Sequence, residues 1–120
     1  MTINHLNLPL ADVPAATDIF TRCLGFRTIE TKGNNDIVVL ANEAGFTLVL
    51  MANRKATPMY PDNFHFGFFL DSTEAVDACF RQLQNSSVQA DRAPGKIRNS
   101  YTFYCFLEPG VMMEVSYQYP

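Results

Sequence analysis

The sequence predicts an α+β fold of two tandem βαβββ modules, whose strands form a half-open, barrel-like sheet with the helices on its outer face. The first observation behind this prediction is a duplication: the only two histidines, His5 and His65, lie 60 residues apart at the same point of a repeated segment. The second is that each histidine opens a strand-like segment, which a helix-like run and further strand-like segments follow. With 120 residues, the chain is expected to be one domain, 1–120, with module one at 1–54 and module two at 62–118.

The first predicted helix follows the strand that begins near His5. Asp12 is a residue type that caps helix N-termini, and Pro14 fits the first turn, where a backbone N–H is not needed. Apolar residues then recur at helical spacing as far as Leu24, and Gly25 is typical of a C-terminal stop. This helix is therefore expected to place one apolar stripe on a sheet.

The second predicted helix repeats that pattern in module two. It is expected to begin at Asp71 or Ser72, because Glu74 stands three residues after Asp71 in the spacing of a capping box. Apolar residues follow at helical spacing from Val76 to Leu83. This helix should cover the second half of the sheet as the first covers the other half.

Most of the remaining chain alternates between apolar and polar residues or is rich in β-branched and aromatic residues, which is typical of strands. A Pro-bearing connection at 53–62 separates the modules, and a Pro- and Gly-bearing loop is expected at 93–99. The predicted strands are 2–9, 26–31, 36–41, 46–52, 63–70, a weak 88–92, 101–107 and 111–117.

Strand parity indicates which side chains share a face, because successive residues of a strand point to opposite sides of the sheet. Leu6 and Leu8 should pack under the first helix, so His5 looks away from it. By the same argument His65 looks away from the second helix, and Glu114 of the last strand lies on the same side. Three side chains able to bind a metal are thus expected on the faces that the helices leave open.

The composition excludes several classes of partner. The net charge is −3 and the nine Lys and Arg are scattered, which argues against nucleic acid. The three cysteines lack paired metal spacing and are interpreted as small hydrophobic residues in a reducing compartment. The chain has no signal-like start and no apolar run of membrane-spanning length, so we expect a cytoplasmic protein without a membrane partner.

Three motifs of the sequence are His5-Leu-Asn-Leu near the start, Leu24-Gly25-Phe26 after the first helix, and the Glu108-Pro109-Gly110-Val111-Met112-Met113-Glu114 run near the end. In these motifs the sequence resembles the vicinal-oxygen-chelate superfamily, which includes glyoxalase I, fosfomycin-resistance thiol transferases, extradiol dioxygenases and bleomycin-binding proteins. Together with the duplicated element order, the resemblance covers essentially the whole chain. It implies a substrate with two adjacent oxygens and, for short chains, a homodimer.

The resemblance also implies a metal site made of His5, His65 and Glu114. The fourth ligand position of glyoxalase I aligns on Val49, which cannot ligate, so two histidines and one carboxylate remain. This set leaves open positions on one divalent ion, which is Fe, Mn, Ni or Zn, and the ion would act as a Lewis acid. The structural alternative is a hydrogen-bonded histidine on each strand and a solvated glutamate.

The resemblance further suggests Thr102 and Tyr104 as substrate contacts, with Tyr104 and Glu114 as catalytic residues. Asn7, where fosfomycin-resistance enzymes carry a threonine, is a further candidate contact, and Arg98 is a candidate because it would place a positive charge near an anionic ligand. The alternatives are packing for Tyr104 and a solvated loop charge for Arg98. Isomerase or lyase, thiol-transferase and dioxygenase chemistry all stay open. A protein of another class, which binds a drug or metabolite without metal as bleomycin-resistance proteins do, is the rival hypothesis.

Overall fold

The structure, a computed structural model, describes residues 1–53 and 58–120 and divides into two compact units, Met1–Met59 and Tyr60–Pro120. The elements of the first unit are β1 (His5–Leu10), α1 (Val13–Cys23), β2 (Arg27–Lys32), β3 (Ile37–Ala41) and β4 (Thr47–Ala52). Its four strands form a sheet of order β1-β4-β3-β2, in which β1 is parallel to β4 and the other pairs are antiparallel.

The ends of α1 confirm the helix that the sequence predicts. The Asp12 carboxylate accepts a hydrogen bond of 3.0 Å from the backbone N–H of Ala15, which is N-cap geometry. Gly25 follows the helix with a φ of 74°, a left-handed conformation that glycine adopts without strain. The buried face of α1 lies against one side of the sheet, whose own buried residues are Leu8, Leu10, Val38, Leu40, Leu48 and Leu50.

The second unit repeats this arrangement with one additional strand. Its elements are β5 (His65–Phe69), α2 (Thr73–Gln84), β6 (Gln89–Ala90), β7 (Gly95–Ile97), β8 (Ser100–Glu108) and β9 (Val111–Gln118). The sheet has the order β5-β9-β8-β6, with β5 parallel to β9, and β7 pairs with β8. Residues 93–99 were expected to be a loop, but β7 lies there, because Gly95 to Ile97 forms a hairpin with the start of β8.

The start of α2 corrects one sequence-based expectation. The Ser72 hydroxyl accepts a hydrogen bond of 3.1 Å from the backbone N–H of Ala75, so Ser72 is the N-cap and the helix begins at Thr73. The capping box proposed between Asp71 and Glu74 is therefore wrong. Ser72 lies 60 residues after Asp12, so the two helices begin at matching points of the duplication.

The predicted α+β class with its two strand–helix–strand units is confirmed. In both units the helix lies on one face of an open sheet, and the opposite face is the one that carries a histidine.

Of the three cysteines, Cys105 is fully buried, and burial raises the pKa of its thiol to about 12. None of the helices that the structure describes is long and apolar enough to span a bilayer.

Candidate functional site

His65 and Glu114 lie side by side on the sheet of the second unit. In the parallel ladder between β5 and β9, Gly67 is paired with Glu114, which places His65 and Glu114 on the same face. Nε2 of His65 is 3.7 Å from Oε2 of Glu114, and both side chains are partly exposed. The opposite face packs against α2, where the Phe80 ring meets the Phe103 ring. The histidine and the carboxylate are therefore accessible on the face that α2 leaves open.

The hydrogen bonds of both histidines define their tautomers. Nδ1 of His65 lies 3.0 Å from the backbone carbonyl of Asn63, which can only accept, so Nδ1 carries the proton. Nδ1 of His5 lies 2.8 Å from Oδ1 of Asn4, an amide oxygen that also can only accept. In the neutral ring Nε2 then holds the lone pair, which is the arrangement seen in metal-binding histidines. The donor chemistry of these residues fits a divalent cation.

Two buried hydroxyls contact the carboxylate of Glu114. The Ser116 hydroxyl donates to Oε1 at 2.8 Å, and the Thr102 hydroxyl lies 3.3 Å from the same oxygen. Thr102 also bonds the Ser116 hydroxyl and lies 3.0 Å from the Val115 carbonyl. Oε1 of Glu114 is thus held by hydroxyls of the sheet, while Oε2 is directed at His65.

Tyr104 is the cross-strand neighbour of Glu114, and its ring lies edge-on to that of His65 at 6.1 Å between centroids. Burial raises the pKa of Tyr104, the negative charge of Glu114 and a hydrogen bond to it raise the pKa further, and the positive charge of Arg98 opposes the rise. Since an unperturbed tyrosine has a pKa of about 10, the hydroxyl keeps its proton near neutral pH and can donate a hydrogen bond. Arg98 itself is exposed in the turn before β8.

A cavity of about 280 Å³ lies over this part of the sheet. Phe69 shares the face of His65 and is 73 % exposed. The cavity therefore lies beside a polar pair and one exposed aromatic ring. The lining residues are His65, Phe66, Gly67, Phe68, Phe69, Glu114 and Ser116.

The predicted site residues of the first unit lie on β1. His5 and Asn7 are both exposed and share the face opposite α1. Asn7 is paired with Val49 in the first unit, and Gly67 is paired with Glu114 in the second. Val49 therefore occupies the position that corresponds to Glu114, as the sequence alignment predicted. The first unit thus offers one histidine and no matching carboxylate. Across residues 1–53 and 58–120, no group of three or more His, Cys, Asp or Glu is arranged to hold a metal.

A family model for the glyoxalase/bleomycin resistance protein/dioxygenase superfamily matches residues 2–115. The chain belongs to this superfamily. It is 36 % identical to a structure described as a possible glyoxalase from Bacillus cereus, with a TM-score of 0.80 and coverage of 96 % of this chain and 97 % of the other. No curated protein matches the sequence.

Two further solved structures of the superfamily share the fold at low identity. A glyoxylase/bleomycin resistance protein/dioxygenase domain from Frankia sp. EAN1pec has a TM-score of 0.85 at 11 % identity, covering 98 % of both chains. A glyoxalase/dioxygenase from Nostoc punctiforme has a TM-score of 0.80 at 17 % identity, covering 99 % of this chain and 92 % of its own.

Membership of the superfamily confirms the resemblance, and the structure adds two residues to which sequence reasoning gave no role. Ser116 holds Glu114, and Gly67 lets the backbone of Glu114 lie close to β5. Strand parity already places both on the histidine face, so the signal was present. What parity could not show is the hydrogen bond of Ser116 or the closeness of Gly67 to the next strand.

Proposed function

We propose that this chain is a small metal-dependent enzyme that acts on a substrate with two adjacent oxygens by Lewis-acid activation. The observation that carries the proposal is the pair formed by His65 and Glu114, with Nε2 3.7 Å from Oε2. The Nδ1 hydrogen bond of each histidine gives support, because it leaves Nε2 as the donor nitrogen. His5, His65 and Glu114 would hold one divalent ion, which is Fe, Mn, Ni or Zn.

When bound, such an ion stabilises negative charge that develops on a substrate oxygen. The remaining chemistry belongs to the side chains around it. Tyr104 keeps its proton and would donate a hydrogen bond to the substrate, since its pKa is raised by burial and by Glu114. Arg98 would offer a positive charge beside Tyr104, and Asn7 would add an amide on the face that carries His5. The choice among isomerisation, thiol addition and oxygen insertion stays open.

We also propose that the protein works as a cytoplasmic homodimer. The face of the second unit that carries the His65–Glu114 pair also exposes Phe69 and Phe106, at 73 % and 38 %. Large exposed apolar side chains on one face are typical of surfaces that a partner covers. A second copy would cover them, and His5 of one copy could then join His65 and Glu114 of the other.

The second candidate function is a metal-free protein that binds a drug or metabolite. It is favoured by the exposed Phe69, which lines the 280 Å³ cavity on the same face as His65. It is favoured also by the small number of ligating side chains that either unit brings together, since the described residues contain no group of three.

Replacement of His65 by alanine separates the two candidates. For an enzyme of the proposed kind, the parent takes up about one divalent ion per chain, and His65→Ala loses the ion and the activity together. For a metal-free binding protein, the parent takes up none, and the affinity for an apolar probe, 8-anilinonaphthalene-1-sulfonate, survives in His65→Ala. Gln118→Ala, at the exposed end of β9, is the control and should match the parent in both measurements.

A further inference from the structure

We propose that Ser116 and Thr102 are positioning residues that fix Oε1 of Glu114, so that Oε2 is the oxygen offered to a divalent cation beside His65. This inference rests on the proposed function and deepens it. It assigns the task of orienting the single carboxylate of the site to two buried hydroxyl residues that are not themselves ligands of the cation.

The burial of the two hydroxyls is the first argument. Thr102 is 2 % exposed and Ser116 is 1 % exposed, and they are the only buried polar residues in the part of the chain that the structure describes. A hydroxyl that is buried without a hydrogen bond destabilises the fold, so a buried hydroxyl needs a hydrogen-bond partner. Both hydroxyls are bonded, and the charged partner they share is Glu114.

The direction of the hydrogen bonds is the second argument. Ser116 gives its single proton to Oε1 of Glu114, so its oxygen is left to accept from Thr102. Thr102 and Ser116 are directly paired across β8 and β9, and Tyr104 and Glu114 form the next pair on the same face. The β-branched Thr102 has few accessible rotamers, so the hydroxyl pair is held by the sheet itself.

The geometry of the carboxylate follows from these contacts. Hydrogen bonds to a charged acceptor are stronger than neutral ones, so Oε1 stays turned toward the Ser116 hydroxyl, which Thr102 holds in place. Oε2 then remains on the side of His65, at 3.7 Å from Nε2. A cation between these two atoms would meet one carboxylate oxygen and one imidazole nitrogen already in place.

This role differs from the substrate contact that the resemblance suggests for Thr102. At 2 % exposure the side chain has almost no surface to offer a substrate, and its hydroxyl already has three acceptors within hydrogen-bonding distance. Tyr104, two residues along the same strand, is partly exposed on that face and remains the better placed of the two for substrate.

The test compares two replacements of Thr102 that differ in the hydroxyl. Thr102→Val keeps the branched shape and removes the hydroxyl, whereas Thr102→Ser keeps the hydroxyl. Ser116→Ala provides a second removal in case Thr102→Val does not fold. The control is Thr17→Val, which deletes a helix hydroxyl that bonds only the Val13 carbonyl, far along the sequence from β8 and β9.

The measurement is the dissociation constant for Zn²⁺, Ni²⁺ and Mn²⁺, each titrated alone into the metal-free protein, beside the thermal midpoint of each metal-free variant. We expect Thr102→Val and Ser116→Ala to bind about 10- to 100-fold more weakly than the parent, as is usual when a ligand loses its supporting hydrogen bond. Thr102→Ser and Thr17→Val should stay within about threefold of the parent, well below that range.

Equal affinity of Thr102→Val and Thr102→Ser, in a parent that binds metal, would overturn this inference and leave the proposed function intact. A parent that binds none of the three ions would contradict the proposed function and this inference with it. Weaker metal binding by Thr102→Val at an unchanged thermal midpoint would support the positioning role. Loss of a purely structural residue would instead lower the thermal midpoint.

Discussion

At the scale of single residues, Gly67 decides how closely β5 and β9 approach each other at the candidate site. A Cβ built on Gly67 would lie 2.5 Å from the backbone oxygen of Glu114 and 3.0 Å from its Cβ. Backbone cannot yield as the end of a flexible side chain can, so any larger residue must push the two strands apart. The glycine therefore lets Glu114 lie close to β5.

The first prediction concerns this contact. Gly67→Ala should lower the free energy of unfolding by about 1–3 kcal/mol, the usual effect of overpacking, and it should weaken metal binding because Glu114 is displaced. Urea unfolding measures the first effect. Gly95→Ala is the matched control, since a Cβ there meets nothing within 4 Å, and it should change stability by less than about 0.5 kcal/mol. Equal unfolding free energies for the two variants would show that the close approach of Gly67 to Glu114 does not affect stability.

The same residues show which features of the candidate site can be predicted from the sequence and which cannot. Parity was sufficient to place His65 and Glu114 on one face, because a strand has a fixed period of two. The hydrogen bonds of Ser116 and the tautomer of His65 could not be predicted, because they depend on which backbone carbonyl or hydroxyl the neighbouring strand brings near.

At the scale of elements, the helices were the easier prediction. Their apolar spacing and caps are local in sequence, and α1 begins at Val13 after the expected Asp12. Both Asp71 and Ser72 are good capping residues, so sequence alone left α2 with two possible starts. The hydrogen bond from the Ala75 N–H to Ser72 decides between them.

The second prediction tests that assignment. Ser72→Ala should lower the free energy of unfolding by about 1 kcal/mol, because the first turn of α2 loses its side-chain acceptor. Asp71→Ala, one residue earlier, should change it by less than about 0.5 kcal/mol, as for other surface sites without a special contact. Chemical denaturation followed by circular dichroism measures both. The larger loss in Asp71→Ala would contradict the assignment of Ser72 as the cap.

The short strand β7 was missed for a physical reason. Gly95, Lys96 and Ile97 have no strand-like alternation, and the preceding Pro94 and the glycine both favour a loop. The segment becomes a strand because its neighbour, β8, offers an unpaired edge after a tight turn in which Arg98 has a φ of 54°. Pairing with a long, well-formed strand is a tertiary effect, which local propensity does not contain.

At the scale of the whole molecule, the duplication was the most reliable guide. Each unit repeats the order of strand, helix and further strands, and in each the first strand runs parallel to the last. The repeat also exposes the difference between the units, since Val49 stands where the second unit has Glu114. The single-domain prediction for residues 1–120 and the shared metal site stay predictions.

The third prediction is the oligomeric state. Sedimentation equilibrium at micromolar concentration should give a mass near twice the 13.5 kDa of one chain, because a second copy would cover the exposed Phe69 and Phe106. Phe69→Ser should shift the mass toward that of one chain, while Ile29→Ser, an exposed apolar residue of β2, serves as the control. A parent that sediments as one chain with its metal still bound would contradict the homodimer.

The most direct test of the account is the metal content of the untagged protein, measured by plasma mass spectrometry beside His5→Ala and Glu114→Gln. Glu43→Gln, an exposed carboxylate in the turn before β4, is the control. A site of three ligands requires about one divalent ion per chain in the parent and in the control, and little in the other two variants, because each removes one of the three ligands. No metal in the reconstituted parent, or an unchanged content in Glu114→Gln, would contradict it and favour a metal-free binding protein.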